Sequence, residues 1–291
     1  MMIKIYIFAP YMKQIILTLL LLAAIVPVVA QTADRLEYPL WPLEKGTSLS
    51  VYADKAYIRS TPSVKGSILD SLLPGSPVIV DEVITAAPLT MKGLTAAWLK
   101  THYTAGDKEV KGYVWVGLLA LNTITKDGTT FVYGLEKRTV ISETEEILTV
   151  RIKAIDKDHR ILDMKEWTVP GGENARSSES KLLGEMGLDN VKEIFRLNFS
   201  GDACGLPTDY YYFGWNGSQL LTLPGKTNTF DAGAFAYTET LIFPKEVGGQ
   251  PGKILKLMVT EEYGEDGETV ENKTVKREVY TWDGNKATKQ L

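Results

Sequence analysis

Cysteine and histidine are nearly missing from this chain: Cys204 stands alone, and His102 and His159 are the only histidines in 291 residues. One cysteine excludes an internal disulfide, and two histidines leave no histidine-rich zinc site. No glycine period suggests collagen. Beyond residue 30 no apolar run is long enough to span a bilayer. What is present is a globular composition, 44% hydrophobic and 10% aromatic, too apolar for a disordered polymer.

The first thirty residues stand apart. Lys4 and Lys13 precede an apolar stretch from Ile15 to Val26, and Pro27-Val28-Val29-Ala30 offers small residues before Gln31. This pattern predicts a secretory signal over 1–30, leaving a mature chain with no membrane span in the periplasm or outside the cell. Without Lys4 and Lys13 the balance is 30 basic against 36 acidic residues. A surface of that sign repels nucleic-acid backbones, and no basic cluster lacks neighbouring acids, so nucleic acid is not an expected partner.

After an arm over 31–48, short alternating runs follow. Ser50 to Ala53, Ala56 to Arg59, Ser76 to Val80, Ala96 to Thr101 and Gly112 to Val116 read as strands. Pro77 fits only at a strand start or on an edge. Five strands in about 70 residues predict a small barrel.

The segments Ala56-Tyr57-Ile58-Arg59-Ser60-Thr61-Pro62-Ser63, Gly66-Ser67-Ile68-Leu69, Leu73-Pro74-Gly75-Ser76-Pro77-Val78, Trp98-Leu99-Lys100 and Gly112-Tyr113-Val114-Trp115 to Leu118 occur in that order. Over 49–121 the chain thereby resembles the bacterial SH3 domain. The resemblance implies a five-stranded barrel that binds cell-wall peptides or glycans, or packs on a neighbouring domain. It implies no chemistry. The chain departs from the pattern at Ile84 to Gly93, read as a lengthened loop before the Trp98 strand.

The residues themselves leave the groove open to two readings. Arg59 could offer a fork of donors to a carboxylate ligand, or satisfy a turn carbonyl or an acid such as Asp54. Period two places Tyr113 and Trp115 on one face, although twist or a bulge could separate them. Trp115 is assigned to the core, with Tyr57, Arg59, Trp98 and Tyr113 as candidate ligand-binding residues.

Residues 122–291 read as a larger antiparallel β domain. Thr130 to Gly134 is a strand; Ile147 to Ile155 pairs with Arg160 to Trp167 across Asp156 to His159. Pro170 to Ser177 reads as loop, and Ser178 to Met186 as the best candidate for a short helix. Two units then look alike, each a strand followed by an aromatic-rich hairpin, at Trp215-Asn216-Gly217 and Trp282-Asp283-Gly284. Asn-Gly and Asp-Gly predict two-residue turns, since both central positions need positive φ. A curved sheet, a sandwich or a partial propeller-like array fits these units. The fold class is thus all-β, an SH3-like barrel followed by a larger β domain.

Catalytic patterns are sparse. Cys204 lies in the glycine-rich turn Ser200 to Pro207, which does not resemble the nucleophile segment of wall peptidases. Asp202, Asp209 and Asp231 belong to loops without calcium-loop spacing. No cofactor and no metal is expected. The sequence predicts a noncatalytic, exported cell-envelope protein that recognises wall peptide, glycan or a protein partner. One alternative is an assembly protein whose SH3-like part packs internally. The other is a wall hydrolase using Cys204 or loop carboxylates.

Overall fold

The computed structural model describes residues 39–290; the expected signal over 1–30 and the first part of the arm lie outside the described residues. The fold is all-β. Six strands form the first sheet: Ser48–Ser50 (β1), Ala56–Arg59 (β2), Ile68–Leu72 (β3), Pro77–Met91 (β4), Leu94–Ala105 (β5) and Lys108–Trp115 (β6), in the order β1-β4-β5-β6-β2-β3. A bridge between Val51 and Leu119 ties the end of β1 to the segment beyond β6, so this sheet curls. Pro77 opens β4, where its missing N–H breaks no interior ladder.

Asn122–Lys126 (β7), Thr129–Val140 (β8), Glu146–Ile155 (β9) and Ile161–Pro170 (β10) form a four-stranded antiparallel sheet in the order β10-β9-β8-β7. At the middle of β8 and the end of β9 both faces are covered. On one, Phe131 and Tyr133 pack against Phe195 and Trp215, with ring centroids 5.6 to 6.0 Å apart. On the other, Val132 joins Tyr52, Ala120 and Ile155 in a second cluster. The run Phe131-Val132-Tyr133-Gly134-Leu135 is apolar throughout because neither face meets water. Gly134 is required here: a Cβ would meet the Tyr52 ring at 2.7 Å.

The remaining strands are Ser177–Leu182 (β11), Glu193–Ser200 (β12), Pro207–Trp215 (β13), Leu220–Asp231 (β14), Phe235–Ile242 (β15), Lys253–Tyr263 (β16), Val270–Trp282 (β17) and Ala287–Lys289 (β18). They pair in sequence order as one antiparallel meander. A continuous meander has no separate blades, so the propeller-like possibility is set aside. The helix expected at Ser178 to Met186 is strand β11 instead. Its side chains alternate in exposure and it pairs with β12 from Ser177↔Ser200 to Leu182↔Phe195, so tertiary pairing overrides a weak local preference.

Two further expectations change in detail. The turns at Asn216-Gly217 and Asp283-Gly284 are four-residue loops, closed by Asn216 N–H to the Gln219 carbonyl and Asp283 N–H to the Lys286 carbonyl. The Asn216 and Asp283 side chains each accept two backbone N–H groups of their loops, and only the glycines have positive φ. The lengthened loop at Ile84 to Gly93 is no loop. It extends β4 and β5 into a long hairpin that turns at Lys92 and Gly93, with φ of 50° and 77°.

The expected arm is partly core. Leu40 and Trp41 are buried, and the Trp41 indole N–H donates to the Leu119 carbonyl at 3.1 Å. One hydrophobic cluster runs from Leu40 through all three sheets to Leu220. Among the described residues no helix is long and apolar enough to cross a membrane.

Candidate functional site

Strands β2 and β6 bring three of the four expected binding residues into one neighbourhood. Tyr57 and Arg59 are two apart on β2, with the guanidinium 5.8 Å from the Tyr57 ring centroid. Arg59 pairs with Tyr113 on β6, and Tyr113 pairs with Lys100 on β5. Tyr57 is 40% exposed. Arg59 donates to the Gly66 carbonyl at 2.9 Å, so at least one of its donors serves the β2–β3 turn.

Trp98 is corrected from groove to core: it is 3% exposed. It pairs with Trp115 across β5–β6 and with Ile84 across β4–β5, at the end of the sheet where the long hairpin turns back. Trp115 is buried there, as expected; its N–H is shared by the Leu89 and Ala96 carbonyls at 3.0 Å each. A Cβ on Gly117 would collide with the Trp115 ring, so the turn after β6 closes tightly over it.

A second aromatic site lies where β10 of the four-stranded sheet faces β13 and β14. Trp167 stands 5.5 Å from Tyr211 and 4.9 Å from Phe213, centroid to centroid. With Lys165, Thr222 and Gly225 these rings line a cleft of about 580 Å³. The Trp167 indole N–H is buried without a hydrogen-bond partner. Burial, with the Asp209 charge second, pushes the Tyr211 phenol above its ordinary range, so it is a neutral donor at physiological pH.

Local sequence explains the cleft. Tyr210 pairs with Lys226 and Tyr212 with Leu223, so Pro224 and Gly225 together oppose Tyr211 and make a bulge in β14. Proline is tolerated there because the bulge interrupts the ladder, and a Cβ on Gly225 would meet the Tyr210 carbonyl oxygen at 2.7 Å. Such a bulge bends and twists its strand. Below it the sheets stay closed, with Leu220 N–H donating to Asp163 at 2.7 Å; at and beyond it the rings line open space.

A charged seam joins the first two sheets. Lys153 is 1% exposed and donates to the Tyr52 carbonyl and to Asp54, each at 2.7 Å. Glu136 accepts from the Tyr52 hydroxyl at 3.2 Å and pairs with Lys92 and Arg151. A cavity of about 190 Å³ adjoins these groups. Arg151 also pairs with Glu166 at 2.6 Å, so three cations face three carboxylates along the seam.

The catalytic alternatives fare as follows. Cys204 is exposed in the β12–β13 connection. His102 is bonded to Asp81 and His159 to the Pro74 carbonyl, each at 2.8 Å, so both imidazoles are engaged away from the thiol. Asp202 pairs with Arg176 at 3.5 Å and Asp209 accepts the Thr227 hydroxyl at 2.6 Å. Among the described residues no group of three or more His, Cys, Asp or Glu could hold a metal ion.

The Trp167–Tyr211 cleft was not anticipated from the sequence. The available signals were the aromatic run Tyr210 to Phe213 and Pro224-Gly225 inside an apolar strand. Comparison with family models, with curated proteins and with solved structures finds no match.

Proposed function

We propose that the protein is an exported, noncatalytic component of the cell envelope that binds wall glycan in the Trp167–Tyr211–Phe213 cleft. The observation that carries this reading is an aromatic cleft of about 580 Å³ lined by Trp167, Tyr211 and Phe213 and rimmed by Lys165 and Thr222. Sugar rings present apolar faces that stack on such side chains, and their hydroxyls take up the polar rim. The export pattern of residues 1–30 and the resemblance of 49–121 to a bacterial SH3 domain support the same compartment and ligand class.

A second reading has its own observation. Tyr57, Ile68 and Leu69 are 40%, 55% and 51% exposed along the β2–β3 edge, beside Arg59. That surface suits an extended peptide or an envelope protein, the partner class the SH3 resemblance implies.

Retention of the purified protein on cell-wall sacculi separates the two. Loss of retention in Trp167→Ala and Tyr211→Ala, with Tyr57→Ala retained, is the expected outcome. Retention that depends on Tyr57 and not on Trp167 moves the site to the SH3-like face. Retention insensitive to all three substitutions rejects both.

A further inference from the structure

On the face of the eight-stranded sheet opposite Tyr211 and Phe213, two cations converge on one ring. The Arg196 guanidinium lies 5.2 Å and the Lys226 ammonium 4.5 Å from the Tyr210 ring centroid. The register explains the meeting: Tyr210 is flanked by Asn198 on β12 and Lys226 on β14, Arg196 is two residues from Asn198, and Lys181 on β11 pairs with Arg196. Neither Arg196 nor Lys226 forms an ion pair or a side-chain hydrogen bond among the described residues, and the Arg196 Nε is buried without a partner. Four other partly buried cations are matched by carboxylates: Lys153 with Asp54, Arg151 with Glu166, Lys256 with Glu239 and Arg176 with Asp202. Lys100 also lacks one among the described residues, but it stands without a second cation converging on the same ring.

We infer that Arg196 and Lys226, with Lys181 at the rim, form an oxyanion-binding site beside Tyr210 that takes a phosphate or carboxylate group. A guanidinium presents a planar fork of donors suited to two oxygens, while an ammonium contributes a compact charge with three donors. Holding both half-buried without a counter-ion is unfavourable, and an oxyanion relieves the desolvation and the mutual repulsion together. Consistent with that strain, burial first and then Arg196 hold the Lys226 ammonium below the usual lysine range, with Lys181 adding to the effect and Glu239 opposing it. Glu239 acts on Lys226 only through space, and no acid makes a direct ion pair with either cation among the described residues. Glu239 is committed to Lys256, Tyr237 and the Thr227 N–H. Glu179 lies across from Asn198, exposed and in contact with neither cation within ion-pair distance.

Titration calorimetry and thermal melting of the purified protein with sodium phosphate and with sodium acetate, against sodium chloride at equal ionic strength, test the site. Phosphate at ten times its dissociation constant should raise the melting temperature by about 3–5 °C relative to chloride. Lys226→Met and Arg196→Gln should each reduce the affinity at least tenfold, while Lys226→Met without anion melts no lower than the parent. An acetate response of similar size assigns the site to carboxylates as well, and a phosphate-only response assigns it to phosphates. A phosphate effect equal to that of chloride, or one unchanged in both variants, overturns the inference. Trp167→Ala should leave phosphate binding intact, which keeps this outcome separate from that of the glycan cleft.

Discussion

Lys153 and Asp54 form an ion pair of unequal burial: the ammonium is 1% exposed, the carboxylate 74%, and they stand 2.7 Å apart. The pair arises because the end of β9 is covered on both faces, so Lys153 must find its partners in the loop after β1. Its hydrogen bond from Lys153 holds the Asp54 carboxyl below its ordinary 3.8. The depressed group stabilises the fold above its unfolded pKa, and that contribution is lost as pH falls through its folded value. Asp54→Asn should therefore cost about 1–2 kcal/mol at pH 7, a charged hydrogen bond discounted for its exposure. Urea unfolding of the two proteins should converge as the pH drops well below 3.8. Burial holds Lys153 below its ordinary 10.5, so its own penalty should ease as pH rises through the folded value toward 10.5.

Gly93 is the second point where a small change reaches across two sheets. It has φ of 77°, and a Cβ would collide with the Arg138 carbonyl, beside the Arg138 N–H to Lys92 carbonyl bond of 3.0 Å. Gly93→Ala should destabilise by about 1–3 kcal/mol, combining backbone strain with that collision. Lys92→Ala removes an ion pair from a side chain that is 63% exposed and should cost under about 1 kcal/mol. Equal losses in chemical denaturation would show that the hairpin tip does not depend on the glycine.

Most strands were legible because their residues alternate or run apolar between turn residues; Ile147 to Ile155 and its partner across Asp156 to His159 are examples. The β4–β5 hairpin was not, because Ala86-Ala87-Pro88 interrupts the alternation and the register shift between Ile84 and Leu89 hides the pairing. Trp98 was misplaced for a related reason. It shares a face with Tyr113, and only the fold of the hairpin decides which end of that face is covered. The Trp167–Tyr211 cleft joins residues 44 positions apart through sheet stacking, and no local pattern in one strand encodes a contact made by another sheet.

Cys204 offers a direct check on the hydrolase alternative. The thiol is exposed and both histidines are bonded elsewhere. A thiol reagent should label the native protein at one equivalent without denaturant, and Cys204→Ser should change neither the melting temperature nor retention on sacculi. Wall-degrading activity abolished by Cys204→Ser would reverse the noncatalytic reading.

Gly225 tests whether the cleft is built by the bulge in β14. The bulge places Pro224 and Gly225 opposite Tyr211, and any side chain at 225 presses on the Tyr210 carbonyl oxygen, 2.7 Å from where its Cβ would sit. Gly225→Ala should cost about 1–3 kcal/mol, since the neighbour is backbone and cannot swing aside. The same shift moves Tyr211 relative to Trp167, now 5.5 Å away, so glycan retention should fall even at temperatures where the variant is fully folded. Trp167→Phe supplies the comparison: it keeps a ring but removes the unpartnered N–H, and by that loss stability should hold or improve slightly, offset in part by the smaller ring. Weakened retention in Trp167→Phe without loss of stability would place the indole at the ligand, whereas unchanged retention in both variants would separate the cleft from binding.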